Sequence, residues 1–401
     1  MHTIADTEAL VAEGVIPAHA ARLIEARARE TMVGLAISGL LIFGILAATG
    51  GLILWLADAA SVATGGGLAL GLGVGVIWQG SALCRMFGHA AALIGAGMLI
   101  GGAALELADK YPEAAGWIGL LLGGAIALGC GWARRHGPDR THVVAGAVLL
   151  MGVALHLWGL GHVLEDAALA GAPMVLFWLY AAAAIAAAGW FVDVRLVTAL
   201  AIVPFAQALD TGTFYFHAAY VFYSPEATLS ILQMGLLVGL GLWLAARLPE
   251  RTGRHALTLV MLGFVVANLC ALVGSLWGDV VGETIWGPRR WSYAYTGHET
   301  YWAARDAFRE TAFVIPAPAY AIGWAVALAA LIGWAAHRNR RGLFNAAMTF
   351  AAIHAYTQLF ESFGDEPLAW VIGGLVAIPL AWAMLRLNGW FLARRAAPGA
   401  G

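Results

Sequence analysis

Charge is scarce in this chain. Asp, Glu, Lys and Arg make up 11% of its 401 residues, against roughly 25% in a soluble domain. The 22 basic and 24 acidic residues leave a net charge of −2. No basic excess remains to neutralise phosphates, which excludes a nucleic-acid binder. Cysteine is scarcer still. Cys130 and Cys270 fall inside apolar runs, Cys84 lies at the edge of one, and they form no CxxC pair, so a disulfide framework is excluded and they read as small buried hydrophobes. No HExxH or Cys/His cluster is present to bind zinc, no GxSxG marks a nucleophile, and no arginine ladder marks a voltage sensor. Interior proline is rare, with Pro204 and Pro379 the clear cases. No carboxylate falls near the centre of any apolar run, whereas ion-coupled carriers usually place one in broken helices there. Asp6, Glu8 and Glu13 stand where a secretory signal has a basic region, so no cleaved leader is expected.

Apolar residues fill the gap. They form 61% of the chain, and 51 further residues are Gly. A soluble fold cannot cover that much apolar side chain with so little polar surface. A membrane span needs about 20 apolar residues, and twelve such runs occur near 31–57, 60–83, 87–108, 114–133, 143–164, 172–192, 195–212, 228–246, 255–278, 316–336, 342–360 and 368–392. They are too long and too little alternated for barrel strands. The predicted fold is therefore all-α, a polytopic integral membrane bundle of about twelve transmembrane helices over residues 31–401. A helix pair in residues 1–30 precedes it.

The loops support that count. With the N-terminus inside, one alternate set of loops carries 17 basic and 8 acidic residues, the other 5 basic and 16 acidic. Basic loops face the cytoplasm, so both termini are expected there. A miscounted span would scramble this alternation downstream.

In the first 30 residues, TEALVAEG reads as a short helix stopped by Gly14, and Pro17 suits the first turn of a second, PAHAARLIEARARE. Leu10, Val11, Val15, Ile16, Leu23 and Ile24 are expected to pack between the two. This leader — acidic helix, Gly-Val-Ile, amphipathic helix — resembles bacterial predicted membrane proteins of the domain-of-unknown-function 2157 group over about the first 60 residues. The resemblance implies a bacterial inner-membrane protein and carries no assigned activity.

Two outer segments exceed plain turns. Residues 213–226, TFYFHAAYVFYSPE, carry aromatics suited to the interface and read as a short interfacial or re-entrant helix. Residues 279–315 form the largest loop, within which His298–Thr311 reads as an amphipathic helix. Gly67, Gly71 and Gly75, and then Gly119, Gly123, Ala127 and Gly131, recur at four-residue spacing that allows close helix approach.

Polar groups inside spans are costly and are the default functional signal. Most gather in the outer half of the bilayer: His156 and His162 in the fifth run, Gln207 and Asp210 in the seventh, His217 beyond it, and His354, Gln358 and Glu361 in the eleventh. The last three share one helix face, as do Gln207 and Asp210. A periplasm-facing polar cavity between the seventh and eleventh runs explains the clustering; a polar helix contact without ligand is the alternative. His156 and His162 lie about 120° apart on a helix, which disfavours their sharing a haem, though a pair such as His156 with His354 stays open. No cofactor is assigned.

Three functions follow. The first is transport or binding of a small or lipidic molecule through that cavity. The second is a non-catalytic subunit or assembly factor whose protein partner docks on residues 1–30. The third is an outer-face enzyme acting on envelope or lipid-linked substrates, drawing on Asp279, Glu283, Arg289, Arg290, His298, Glu299, Arg305 and Asp306.

Overall fold

In a computed structural model, the described residues are 7–27, 58–80, 82–169, 171–216, 219–288, 298–338 and 340–363, together with isolated positions in 44–51 and 366–386. The fold is all-α with two short two-stranded sheets. Among the described residues, eight helices are long and apolar enough to cross a membrane, and they coincide with eight of the twelve predicted runs. The eleventh run is a helix too, though a more polar one. The first and twelfth lie outside the described residues, apart from isolated helical positions. Contacts divide the chain into two units, Met1–Leu169 and Ala170–Gly401.

The first unit opens with α1 (Thr7–Ala12) and α2 (residues 18–27). Gly14, at φ +69, makes the turn between them. That left-handed backbone explains the glycine. Leu10, Val11 and Ile16 are partly buried, but Val15, Leu23 and Ile24 are exposed, so half of the expected apolar contact does not form.

Four helices follow: α3 (Ala59–Gln79), α4 (Ala82–Lys110), α5 (Pro112–His136) and α6 (His142–Asp166). Asp58 caps α3 by accepting from Ser61 N at 2.8 Å, and Pro112 occupies the first turn of α5. The helices pair as two antiparallel hairpins, each closed on glycine. A Cβ on Gly66, Gly73 or Gly95 would strike the backbone of the facing helix, and one on Gly102 would stand 2.8 Å from Ala63 N. In the second hairpin a Cβ on Gly123 would stand 2.7 Å from Gly152 O and one on Gly159 2.6 Å from Gly116 O. The spacing is seven residues, two helical turns, not four. Gly71 and Gly75 have no neighbour within 4 Å, and Gly67 only the tip of Leu99 at 3.9 Å. The predicted four-residue stripe in the second run is thus not the contact face; Gly66 and Gly73 are. Ile77, Ala92 and Val144 join the two hairpins.

The second unit begins with α7 (Ala172–Val192). The seventh run then breaks into α8 (Arg195–Leu200) and α9 (Ile202–Gln207), because Pro204 has no N–H for the Leu200 carbonyl. The pair together spans about 20 Å, short of a full crossing by helix alone. Asp210, at φ 58, ends α9, and Thr211 N reaches back to Ala206 O at 3.2 Å. The chain leaves as β1 (Gly212–Phe216) paired antiparallel with β2 (Ala219–Tyr223). Residues 213–226 are therefore a β-hairpin and not the predicted helix; alternating aromatic and β-branched residues suit a pleated ribbon.

Next come α10 (Ala227–Arg247), α11 (Glu250–Trp277), β3 (Asp279–Val280), α12 (Glu283–Trp286), α13 (His298–Thr311), β4 (Val314–Ile315), α14 (Ala317–His337) and α15 (Arg341–Phe363). The α13 limits match the sequence reading. The core, Ala271, Trp324, Leu328, Ala347 and Phe350, lies among α11, α14 and α15. Asp193 meets the start of α11, and Thr211 meets the start of α10. The chain thus passes from one end of the unit to the other between these residues.

Candidate functional site

Buried polar groups concentrate at the end of the second unit where α10 starts and α11 finishes. Glu226, Asp279 and Glu283 are all buried there. Asp279 sits just past α11 and caps α10. Its carboxylate accepts from Ala227 N at 3.2 Å and Thr228 N at 2.9 Å, and also from the Thr228 hydroxyl and from Tyr320 Oη at 2.9 Å. Glu226 returns the interaction, accepting from Gly282 N at 2.8 Å and Thr284 N at 3.1 Å at the head of α12. Negative charge at a helix N-terminus is favourable on both counts, the dipole and the unpaired N–H groups. Glu283 binds Arg305 and, at 3.4 Å, Arg309 on α13. The three carboxylates thereby fasten residues 279–288 and 298–315 to the helix ends.

Beneath them Thr211, Ser224 and Ser230 close a buried triangle of hydroxyls with edges of 3.1, 2.6 and 2.9 Å. Each hydroxyl can donate to the next, so the ring satisfies itself. It clamps both feet of the β1–β2 hairpin to α10.

Deeper in, Trp324 Nε1 donates to Asn268 Oδ1 at 2.9 Å, and Asn268 Nδ2 to Phe264 O at 2.8 Å. His354 stands edge-on to Trp324, ring centroids 4.6 Å apart, with the Ala321 carbonyl beside it. Its Nδ1 is buried without a partner, as is Nε2 of Gln358 one turn on. On α10, Gln233 Nε2 donates to Phe205 O at 2.7 Å while its buried Oε1 has no partner.

The structure distributes the predicted site residues unevenly. Gln207 Nε2 donates to Asp210 Oδ1 at 3.2 Å, but the pair closes the end of α9. His354 and Gln358 share a face as expected, while Glu361 is exposed. α9 packs on α7 and α11, and α15 on α14 and α11. His156 and His162 belong to the first unit. His156 Nδ1 donates to Leu120 O at 2.9 Å across the α5–α6 hairpin; His162 lies on the surface, 3.8 Å from Glu165 and against Trp158. His217 lies outside the described residues, as do Arg289, Arg290 and the His298 side chain. Asp279, Glu283 and Arg305, offered as enzymatic groups, bond to helix ends and to one another, while Glu299 and Asp306 are exposed.

The opposite end of the unit holds a centre the sequence did not flag. His255 is buried at the start of α11. Its Nε2 donates to Asp193 Oδ1 at 3.0 Å, and its Nδ1 accepts from the Thr198 hydroxyl at 2.6 Å. Arg251 adds hydrogen bonds to the Trp190 and Phe191 carbonyls at 2.5 and 3.1 Å, complementing the negative end of α7. The order hydroxyl, imidazole, carboxylate is that of a nucleophilic triad. Thr198 is only 2% exposed, and its Oγ1 lies 2.5 Å from where a Cβ on Gly189 would stand. No substrate reaches it, so the arrangement is a latch joining α7, α8 and α11.

The hydrogen bond from His255, with Arg251 beside it, holds the Asp193 carboxyl below the usual carboxylate range. A depressed folded-state pKa stabilises above the unfolded value of about 3.9 and is lost as pH falls below it. Asp193→Asn is therefore expected to keep the left-handed turn while removing one component of acid unfolding below about pH 4. Acid titration followed by near-UV circular dichroism checks it. His255→Ala leaves a cavity and an unpaired hydroxyl, and is expected to cost about 2–4 kcal/mol in chemical denaturation.

Among the described residues, no group of three His, Cys, Asp or Glu is placed to hold a metal ion. Cys130 and Cys270 are unpaired thiols. No protein-family model, curated protein or solved structure matches the chain.

Proposed function

We propose that this chain is a bacterial inner-membrane protein of twelve spans, both termini cytoplasmic, that binds a small or lipidic molecule for transport or carriage. The site is the periplasmic half of the second unit. The observation that carries this reading is the pair His354 Nδ1 and Gln358 Nε2. Both are buried without partners on one face of α15. Inside a bilayer such atoms cost several kcal/mol each unless something satisfies them. With the Ala321 carbonyl beside the ring, the tautomer protonated at Nε2 leaves Nδ1 an acceptor; the Gln358 amide is a donor. A hydroxyl or protonated carboxyl head fits both. Twelve spans are supported by the loop charges and by the passage from Asp193 to Thr211, which keeps the alternation despite the short α8–α9. For the leader we propose kinship with the domain-of-unknown-function 2157 group.

Native mass spectrometry from mild detergent is expected to show a retained ligand, lost from the double variant His354→Ala/Gln358→Leu. Two hydrogen bonds at about 1–1.5 kcal/mol each correspond to a roughly 30- to 150-fold weaker affinity. Equal occupancy in both proteins would overturn the reading.

A second reading, a subunit or assembly factor, is favoured by one observation. Val15, Leu23 and Ile24 are exposed on the N-terminal helix pair, a face suited to a partner helix. Pull-down with the full chain and with Leu23→Glu/Ile24→Glu tests it: a partner lost only from the variant supports docking there.

A further inference from the structure

Residues 277–315 carry an apolar surface that the binding reading does not use. Trp277, Trp286 and Phe313 are 71, 74 and 72% exposed. Their height in the molecule is set by hydrogen bonds. Trp277 is the last residue of α11. β3 follows at once and pairs with β4, Asp279 opposite Ile315 and Val280 opposite Val314; Val281 N donates to Phe313 O at 3.0 Å. α14 starts two residues after β4. Tyr320, in its first turn, bonds to Asp279. Glu226 holds α12 level with the first residue of α10, and Glu283 ties α13 to α12 through Arg305 and Arg309. The segment is thus fastened in the layer where three apolar helices, α10, α11 and α14, begin or end. It is not a stalk standing away from them.

We propose that residues 277–288 and 298–315 form an interfacial skirt, with Trp277, Trp286 and Phe313 seated in the phospholipid headgroup and glycerol layer and α12 and α13 lying along it. Large rings with one wet and one apolar side are favoured at that depth. α13 has the composition for the same plane. Trp302 is half-exposed beneath the Arg305 guanidinium, 5.1 Å from its ring, and Glu299, Asp306, Arg309 and Glu310 are exposed to water. Tyr301, on the face that carries Arg305 to Glu283, is buried in the protein, so α13 meets this layer through Trp302. The charges in the segment are nearly balanced, so neutral phosphatidylcholine is a sufficient partner.

The skirt rests on the chain being seated in a bilayer, and the experiment separates the two. Spin labels are placed singly at Trp286→Cys, Phe313→Cys, Asp306→Cys and Leu236→Cys in full-length protein with Cys84, Cys130 and Cys270 replaced by Ala. Each protein is reconstituted in phosphatidylcholine nanodiscs, and collision with oxygen and with a water-soluble nickel chelate is compared. Leu236, mid-helix in α10 and exposed, and positions 286 and 313 are expected to favour oxygen; position 306 is expected to favour nickel. Nickel preference at 286 and 313 with oxygen preference at 236 overturns the skirt alone. Protection from both reagents at 286 and 313 overturns it too, since protein then covers the patch. Nickel preference at 236 removes the bilayer premise and the skirt with it. If the cysteine-replaced chain fails to fold, hydroxyl-radical footprinting of the unaltered protein in the same nanodiscs reads Trp286 and Phe313 directly. Slow oxidation despite their exposure is expected, and oxidation as fast as that of the water-facing α13 side chains overturns the skirt.

Discussion

Asp279→Ala is expected to lower the apparent melting temperature of the purified protein by on the order of 10 °C. The carboxylate receives two backbone N–H groups at the head of α10, the Thr228 hydroxyl and the Tyr320 hydroxyl. When it is removed both N–H groups are left facing a void, and the two hydroxyls keep only each other. Losing a helix cap costs about 0.5–2 kcal/mol. Hydrogen bonds to a buried charge are each of the order of 1.5–3 kcal/mol, without adding fully. A total of about 3–5 kcal/mol follows, and a unit of this size shifts by about 2–4 °C per kcal/mol. Cys270, fully buried one layer below, reports the opening: maleimide modification at that residue, read by peptide mass spectrometry, starts at correspondingly lower temperature. Asp306→Ala, at an exposed position of the same loop, is expected to stay within about 0.5 kcal/mol of the unaltered protein. Equal melting of the two variants would refute the clasp.

Gly159→Val is expected to abolish recovery of folded protein, and Gly159→Ala to cost about 1–3 kcal/mol. A Cβ there would run into Leu120 N and stand 2.6 Å from Gly116 O. Backbone atoms cannot rotate aside, so α5 and α6 must separate by roughly 1 Å along their length, losing contacts on both sides of the gap. Gly95→Ala should do the same to α3 and α4, where Gly66 O is 2.6 Å away. The informative contrast is within α3 itself. Gly71→Ala and Gly75→Ala, with nothing within 4 Å, are expected to be neutral or to stabilise by up to about 1 kcal/mol through helix propensity. Detergent thermal shift across this set distinguishes a contact face from a merely glycine-rich helix.

That contrast shows where sequence reading worked and where it stopped. The apolar runs were legible because length and hydropathy are local, and eight of them are helices of spanning length. The buried face of α3 was not legible. Gly65, Gly66, Gly67, Gly71, Gly73 and Gly75 put a small residue on nearly every side, and only the partner, with Gly88, Gly95 and Gly102, selects Gly66 and Gly73. Residues 213–226 misled because aromatics fit an interfacial helix and a pleated ribbon equally well. Gln207 and Asp210 were read as costly polar groups of a span. Pro204 breaks that run into two short helices, the second of which stops at Gln207, so they became its closing turn. Glu226 and Asp279 are 53 positions apart, and nothing local announces that each caps a helix beside the other. His255 escapes a local reading because it stands among arginines near a loop, where a wet surface is the default expectation, and its partners Thr198 and Asp193 are distant in sequence. That His354 and Gln358 share one face was legible because their spacing sets it without help from any distant residue.

The reciprocal capping also has a bearing on biogenesis. During synthesis the head of α10 leaves the ribosome some fifty residues before Asp279 does. Until α11 has been inserted and has brought Asp279 across, the first N–H groups of α10 have no carboxylate, and Glu226 has no α12 to hold. The closing of this end is thus deferred to the arrival of the last strand, β4, and the start of α14. A nascent chain stopped at about residue 275 would hold α10 and most of α11 with an open end. One extended past residue 320 would carry every group needed to shut it.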